Sequence, residues 1–295
     1  MVKLLHRLVL LAAICVAAGC RRSGPPSGEP ASRQTVYEVH GIVREVNPSE
    51  NSLTIEHEDI PGFMPAMTMS FAVKDPTLLR ELAAGDRVKF HLAVTETDSW
   101  IASISKIPGS IQPLTVSPKP SDASALKPGQ VVPNFTLTDQ NGRTIQLLDY
   151  RGQVVVVTFI FTRCPLPNYC PLMSRNFSVL QKEVQHQFPG KVHLLSISFD
   201  PAHDTPAVLK EYAENFGADP KHWSFATGTP AQIKSIAALF GLTYEMQGGS
   251  ITHNLRTALI DPNGRLEHVW KGNAWQPAEV TSMIQGVLSL QAGSR

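Results

Sequence analysis

Residues 154–161, Val-Val-Val-Val-Thr-Phe-Ile-Phe, form an apolar run interrupted only by Thr158. A strand with one wet face alternates apolar and polar side chains, so a run without alternation must be covered on both faces, as in a parallel sheet flanked by helices. The downstream chain supplies the covers. Met173, Phe177, Leu180 and Val184 fall at helical spacing and predict a helix from about Pro171. Residues 192–199 read as a second buried strand. Thr205-Pro206 and Thr229-Pro230 each set an N-cap Thr before a Pro at the first helical position, predicting helices to Phe216 and Phe240. Residues 257–261 and 265–270 flank the turn Pro262-Asn263-Gly264 as a hairpin, and a last helix starts near Pro277. The order β–α–β–α–β–β–α is that of a thioredoxin-like fold with a mixed sheet.

Upstream the period changes. Residues 39–46, 52–57, 67–73, 87–94 and 100–107 alternate or are β-branched, and breakers such as Asn47-Pro48 and Gly85-Asp86 separate them. Five short strands in so little chain predict a small closed barrel of the OB type. The expected architecture is therefore multidomain: an all-β, five-stranded OB-like barrel at 35–107, then an α/β thioredoxin-like domain at 126–292. Residues 108–125, with Pro113, Pro118 and Pro120, read as the linker between them. No internal repeat is present.

The N-terminus is a targeting segment. Lys3 and Arg7 precede an apolar stretch, 8–18, shorter than the ~20 residues that cross a bilayer. Ala17-Ala18-Gly19 then leads into Cys20. This resembles a bacterial lipoprotein signal, which implies removal of residues 1–20, acylation of Cys20, and a Gly/Pro/Ser-rich tether at 21–34. Of four cysteines, Cys15 goes with the signal and Cys20 carries lipid, leaving Cys164 and Cys170, a pair able to form a disulfide outside the cytoplasm. The mature protein is expected to be a monomer on the extracytoplasmic face of the cell envelope, held to the membrane by lipid. Twenty-six basic against 25 acidic residues, without a basic run, exclude nucleic acid as a partner.

Soft metal donors cluster twice. The first group is Met64-Pro65-Ala66-Met67-Thr68-Met69 with His57 upstream. Thioether, thiolate and imidazole suit a soft ion such as Cu(I). Residues two apart on a strand share a face, so Leu53, Ile55 and His57 point one way, as do Met67, Met69, Phe71 and Val73. If the two segments are antiparallel neighbours, His57 and Met67 meet at one rim of the barrel. The same spacing also suits Met67 and Met69 as plain core residues continuing the Phe71/Val73 stripe. Residues 35–107, above all His57, Ile60-Pro61 and residues 64–71, resemble the CusF family of periplasmic copper/silver metallochaperones. The resemblance implies that His57, Met67 and Met69 bind the monovalent ion. Met64 stands where that family has a shielding Trp, which implies either a third thioether ligand or an unshielded site.

The second group is Cys164 and Cys170, at the carboxyl end of the buried strand and just before a helix. Binding sites of α/β sheets gather at that edge, and a helix N-terminus favours thiolate. Five residues separate the cysteines where thioredoxins have two, which favours ligands spread around an ion over a tight redox pair. His253, after a long loop at 242–252, is positioned by a thioredoxin topology to complete a three-donor site, with Met246 a weaker candidate. A structural disulfide with His253 on the surface is the alternative. Residues 126–290 resemble the Sco/SenC family of thioredoxin-like copper chaperones, through residues 133–137, 152–164, 196–201 with Asp204-Thr205-Pro206, and His253 before residues 257–262. The resemblance implies copper, Cu(I) or Cu(II), on Cys164, Cys170 and His253, and a partner in the copper-bearing subunit of cytochrome c oxidase. That family usually has three residues between its cysteines. Asp200 and Asp204 read as fold support, and His186, His203 and His222 as solvated surface residues.

The expectation is a copper chaperone that captures Cu(I) on Met and His and passes it by ligand exchange to Cys164, Cys170 and His253. The alternative is a thiol–disulfide oxidoreductase using Cys164 and Cys170 as its redox pair. A copper-detoxifying module is third.

Overall fold

The computed structural model describes residues 33–64, 66–108, 125–247 and 250–292. Cys15, Cys20, the signal segment and nearly all of the tether and linker lie outside them.

Strands β1 (Thr35–Asn47), β2 (Ser52–His57), β3 (Met67–Ala72), β4 (Arg87–Val94) and β5 (Ser99–Lys106) form a sheet in the order β3-β2-β1-β4-β5. All four pairings are antiparallel. A parallel bridge between Val73 and Ile101 draws β3 to β5 and closes the barrel, as expected. The alternation on β2 and β3 sends Leu53, Ile55 and His57, and Met67, Met69 and Phe71, inward. Val39, Val43, Phe90 and Leu92 fill the interior with them. At Gly41, paired with His57, an added Cβ would lie 2.6 Å from the Glu56 carbonyl oxygen, so only glycine lets β1 and β2 approach this closely.

The α/β domain opens with a hairpin, β6 (Thr136–Asp139) and β7 (Thr144–Gln146). It continues through β8 (Val154–Ile160), α1 (Cys170–Gln187), β9 (Val192–Ser198), α2 (Pro206–Asn215), β10 (Trp223–Thr227) and α3 (Pro230–Leu239). A second hairpin, β11 (Tyr244–Gln247) and β12 (Ser250–His253), precedes β13 (Arg256–Ile260), β14 (Leu266–Lys271) and α4 (Pro277–Ala292). The seven-stranded mixed sheet runs β14-β13-β8-β9-β10-β6-β7, with β8, β9 and β10 parallel. Every residue of β8 and β9 is buried, which is why neither alternates. Thr205 and Thr229 cap α2 and α3 through their side chains, with Pro at the first helical position.

Three features differ from expectation. Trp223–Thr227 is a strand between the two capped helices, and the β6–β7 hairpin was not anticipated. Residues 242–252, expected as a loop, contain most of the β11–β12 hairpin, so His253 ends a strand. His203 is exposed, as expected of a surface residue, with its Nδ1 2.9 Å from Asp204. Among the described residues no helix is long and apolar enough to cross a membrane.

His193 on β9 is a second histidine that composition alone would pass over. It is buried, its Nε2 is 2.9 Å from Ser224 Oγ, and its ring stacks on Tyr150. Burial, aided by the nearby His222 charge, pulls its pKa down to about 4. The unfolded chain takes up that proton near pH ~6.5, so the stability due to a neutral His193 is complete above ~6.5 and lost as pH falls toward 4. Urea titrations should show about 2 kcal/mol lost from this residue between pH 7 and 5. His193→Gln should remove that component, and an unchanged acid slope in the variant would refute the assignment.

The two domains are docked against each other, in one compact unit. Ser99 Oγ donates to Asn168 Oδ1 (2.6 Å) while Asn168 Nδ2 donates to the Ser99 carbonyl (2.9 Å), and both residues are buried. The Tyr169 hydroxyl donates to the Ser70 carbonyl on β3. Arg175 donates to the Thr97 carbonyl (3.3 Å).

Candidate metal centre

In the barrel, the antiparallel register sets His57 directly opposite Met67, and Ile55 opposite Met69. His57 Nδ1 lies 2.7 Å from the Glu58 carbonyl oxygen, an acceptor only, so Nδ1 carries the proton and Nε2 the free lone pair. That Nε2 is buried without a hydrogen-bond partner. A buried, unsatisfied nitrogen costs ~1–3 kcal/mol and so calls for a reason. Burial also pulls the His57 pKa down, keeping the ring neutral and able to donate a lone pair. Met67, Met69 and Met64 are all buried. A tight turn with reciprocal backbone bonds between Ile60 and Met64 (2.8 and 3.1 Å) holds Met64 in the core.

In the α/β domain, β8 ends at Ile160 and delivers Thr162–Cys164 to the carboxyl edge of the sheet. That edge is fixed by buried carboxylates on the loop after β9. Asp204 accepts from Thr162 N–H (3.0 Å), the Thr162 hydroxyl (2.6 Å) and the Ser198 hydroxyl (2.5 Å). Asp200 accepts two hydrogen bonds from Arg163 on one oxygen, Oδ2, at 2.6 and 3.2 Å. Both act as support for the loop that holds Cys164. Cys170 is the first residue of α1, so the helix N-terminus belongs to Cys170 and not to Cys164. The β11–β12 hairpin brings His253 over the same edge.

The structure thereby brings Cys164, Cys170 and His253 together, with one Sγ or ring nitrogen from each lying within 4.8 Å of the other two. Cys170 Sγ is 4.0 Å from His253 Nε2. His253 repeats the arrangement of His57: Nδ1 is 2.8 Å from the carbonyl of the next residue, Asn254, so Nε2 faces the thiols, as a lone pair when the ring is neutral and as an N–H donor when the ring is charged. Among the described residues both cysteines are free thiols. Burial opposes a thiolate on Cys164, but hydrogen bonds from Cys170 and His253 outweigh it and pull the thiol down to about 5, while burial and the neighbouring sulfur push Cys170 up. Of the two thiols, Cys164 is therefore the one that ionises first. Phe161, Phe199 and Tyr169 surround the His253 ring. Met246 lies in β11, and its side chain is outside the described part of the structure.

The two donor groups face one another. Met67 and Met69 from β3, with Cys164 and His253, line one small cavity of about 10 Å³, the room of a single water-sized body. His57, Met64 and Cys170 stand outside that lining. Sequence reading missed Ser99, Asn168 and Tyr169, the residues that dock the domains. The long spacing between the cysteines was their only signal, since Asn168 and Tyr169 lie in the five residues that separate Cys164 from Cys170.

Comparison with known proteins follows the same division. Residues 123–289 match the SCO1/SenC family model, and residues 36–106 match that of the copper binding periplasmic protein CusF. An SCO2-like protein of Rickettsia typhi is 36% identical over 138 residues, covering 44% of this chain and 65% of the relative. The SCO1 protein homolog of Bacillus subtilis is 29% identical over 142 residues, 47% of this chain and 72% of the relative. The crystal structure of a SCO1/SenC family lipoprotein from Bacillus anthracis aligns with TM-score 0.51 and 27% identity, over 56% of this chain and 99% of that one. The chain thus spans slightly under two thirds of the Rickettsia relative's length.

Proposed function

The chain belongs to the SCO1/SenC family, and from that premise we propose that it is an extracytoplasmic copper chaperone. Cys164, Cys170 and His253 form one copper site. His57, Met67 and Met69, with Met64 as an additional thioether, form a second. The acceptor is a copper protein such as the copper-bearing subunit of cytochrome c oxidase, and a lipid on Cys20 keeps the monomer at the membrane. The domain limits follow the sequence reading, with the barrel at 35–107 and the α/β domain at 126–292.

The observation that carries this reading is the convergence of the three donors Cys164, Cys170 and His253. Cys164 is inclined to thiolate, and His253 is fixed in the tautomer that presents Nε2. Thiolate, thiolate and imidazole select a soft ion over Ca²⁺ or Mg²⁺. The same two thiols support a second reading, thiol–disulfide exchange, because a depressed Cys164 thiol beside a protonated Cys170 is the arrangement of an attacking and a resolving cysteine. Titration of the reduced mature chain with Cu(I) against a competing chelator separates the two. The expected result is two bound ions in the wild type and one in Cys164→Ser/Cys170→Ser. No tight binding, with the disulfide still equilibrating with glutathione, would replace the chaperone by the oxidoreductase.

A further inference from the structure

We propose that the first Cu(I) is held in a mixed site between the domains, with thioether donors Met67 and Met69 from the barrel and Cys164 and His253 from the α/β domain. This rests on the copper reading of both donor groups and goes further. The two sites are not separate stations joined by a tether but two halves of one cage.

Three observations converge. The cavity lined by these four residues has room for one small body, and its remaining walls, including Phe161, Leu166 and Ile251, are apolar. The side chains there that can act as metal donors are the sulfurs and the imidazole, since the Tyr169 hydroxyl is spent on Ser70, and the space admits one small body at a time. The docking is built into the fold, since the reciprocal Asn168–Ser99 pair is buried and unlike a loose surface contact. Finally, the contacts arise beside the donors themselves. Tyr169 precedes Cys170 and bonds to Ser70, which follows Met69. The extended loop between the cysteines thus serves as the surface on which the barrel sits, which gives its length a purpose.

Transfer then needs no free ion. Copper stays Cu(I). A Cu–thioether bond breaks as a Cu–thiolate bond forms, and the proton displaced from Cys170 leaves to solvent as the ion moves deeper toward Cys170 and His253. A second equivalent divides the donors, with His57, Met67 and Met69 keeping one ion and Cys164, Cys170 and His253 the other.

The test is a double-mutant cycle on the first-equivalent Cu(I) affinity of the reduced full chain, measured against a competing chelator. Met67→Leu/Met69→Leu preserves core volume. A mixed site predicts that this variant and Cys164→Ser each lower first-equivalent affinity by about tenfold or more, and that their effects are not additive. Ser99→Ala, which touches no donor, should lower it too, with thermal unfolding confirming that the variant folds. If removing both thioethers leaves first-equivalent affinity within about twofold and abolishes only the second ion, the sites are independent and the mixed site is wrong while the chaperone stands. If the wild type itself binds no ion tightly, the copper reading fails and the mixed site falls with it.

Discussion

His253→Ala lowers Cu(I) affinity about a hundredfold while leaving thiol–disulfide exchange within about tenfold of wild type. The asymmetry follows from geometry. Changing a hydrogen-bond partner of a ligand already costs ~10–100-fold in metal affinity, so deleting a donor atom belongs at or beyond the upper end. Exchange needs only a thiolate on Cys164. Its support comes from Cys170 as well as from His253, so the substitution removes only part of what favours the thiolate. The checks are chelator competition for the metal and glutathione equilibration for the dithiol, on one protein preparation. Equal losses in both would mean that His253 tunes a redox pair and that the three-donor site is not a metal site. His253→Gln, which restores a polar side chain but no imidazole nitrogen, should not recover binding.

Parts of this site were legible because they follow strand periodicity. His57 and Met67 occupy inward positions of two strands whose alternation is plain, so their convergence needed only the antiparallel pairing that β2 and β3 adopt. The thioredoxin-like core was legible for the opposite reason: β8 and β9 do not alternate at all, and Thr-Pro pairs mark the starts of α2 and α3. The short elements escaped. Thr136–Asp139 and Thr144–Gln146 each hold one apolar residue, Leu137 and Ile145, and three or four residues carry too little pattern to show a period. In sequence Gly248-Gly249 lies between the β11 and β12 segments, and a Gly pair punctuates loops and hairpins alike. Ser99, Asn168 and Tyr169 were invisible for a deeper reason. Docking contacts between domains depend on how two finished surfaces meet, and no periodicity within either domain encodes that. Once the structure is known, the long spacing of the cysteines becomes readable as the docking loop.

Asp204→Ala should cost the α/β domain about 3–5 kcal/mol, as much as truncating a buried aromatic side chain. Asp204 is fully buried and accepts from a backbone N–H, two hydroxyls and the His203 ring. Alanine removes every acceptor at once and strands Thr162 N–H and two hydroxyls in a site that cannot readily hydrate. For a domain of this size the expected fall in Tm is roughly 6–20 °C, at about 2–4 °C per kcal/mol, with the urea midpoint falling in parallel. Asp204→Asn keeps one carbonyl acceptor but aims an NH₂ group at atoms that already donate, so it should recover only part of the loss. A cost below about 1 kcal/mol would mean that this network is surface decoration, as weak as exposed ion pairs are. The consequence reaches the metal. Thr162 is two residues from Cys164, and Arg163 between them is clamped by Asp200. Freeing the end of β8 lets the first thiolate drift from His253 and from the barrel thioethers together. Asp204 variants that still fold should therefore bind Cu(I) more weakly although no donor has been touched, and a full-strength site on a destabilised domain would show that the cysteine loop holds its geometry without help from the sheet edge.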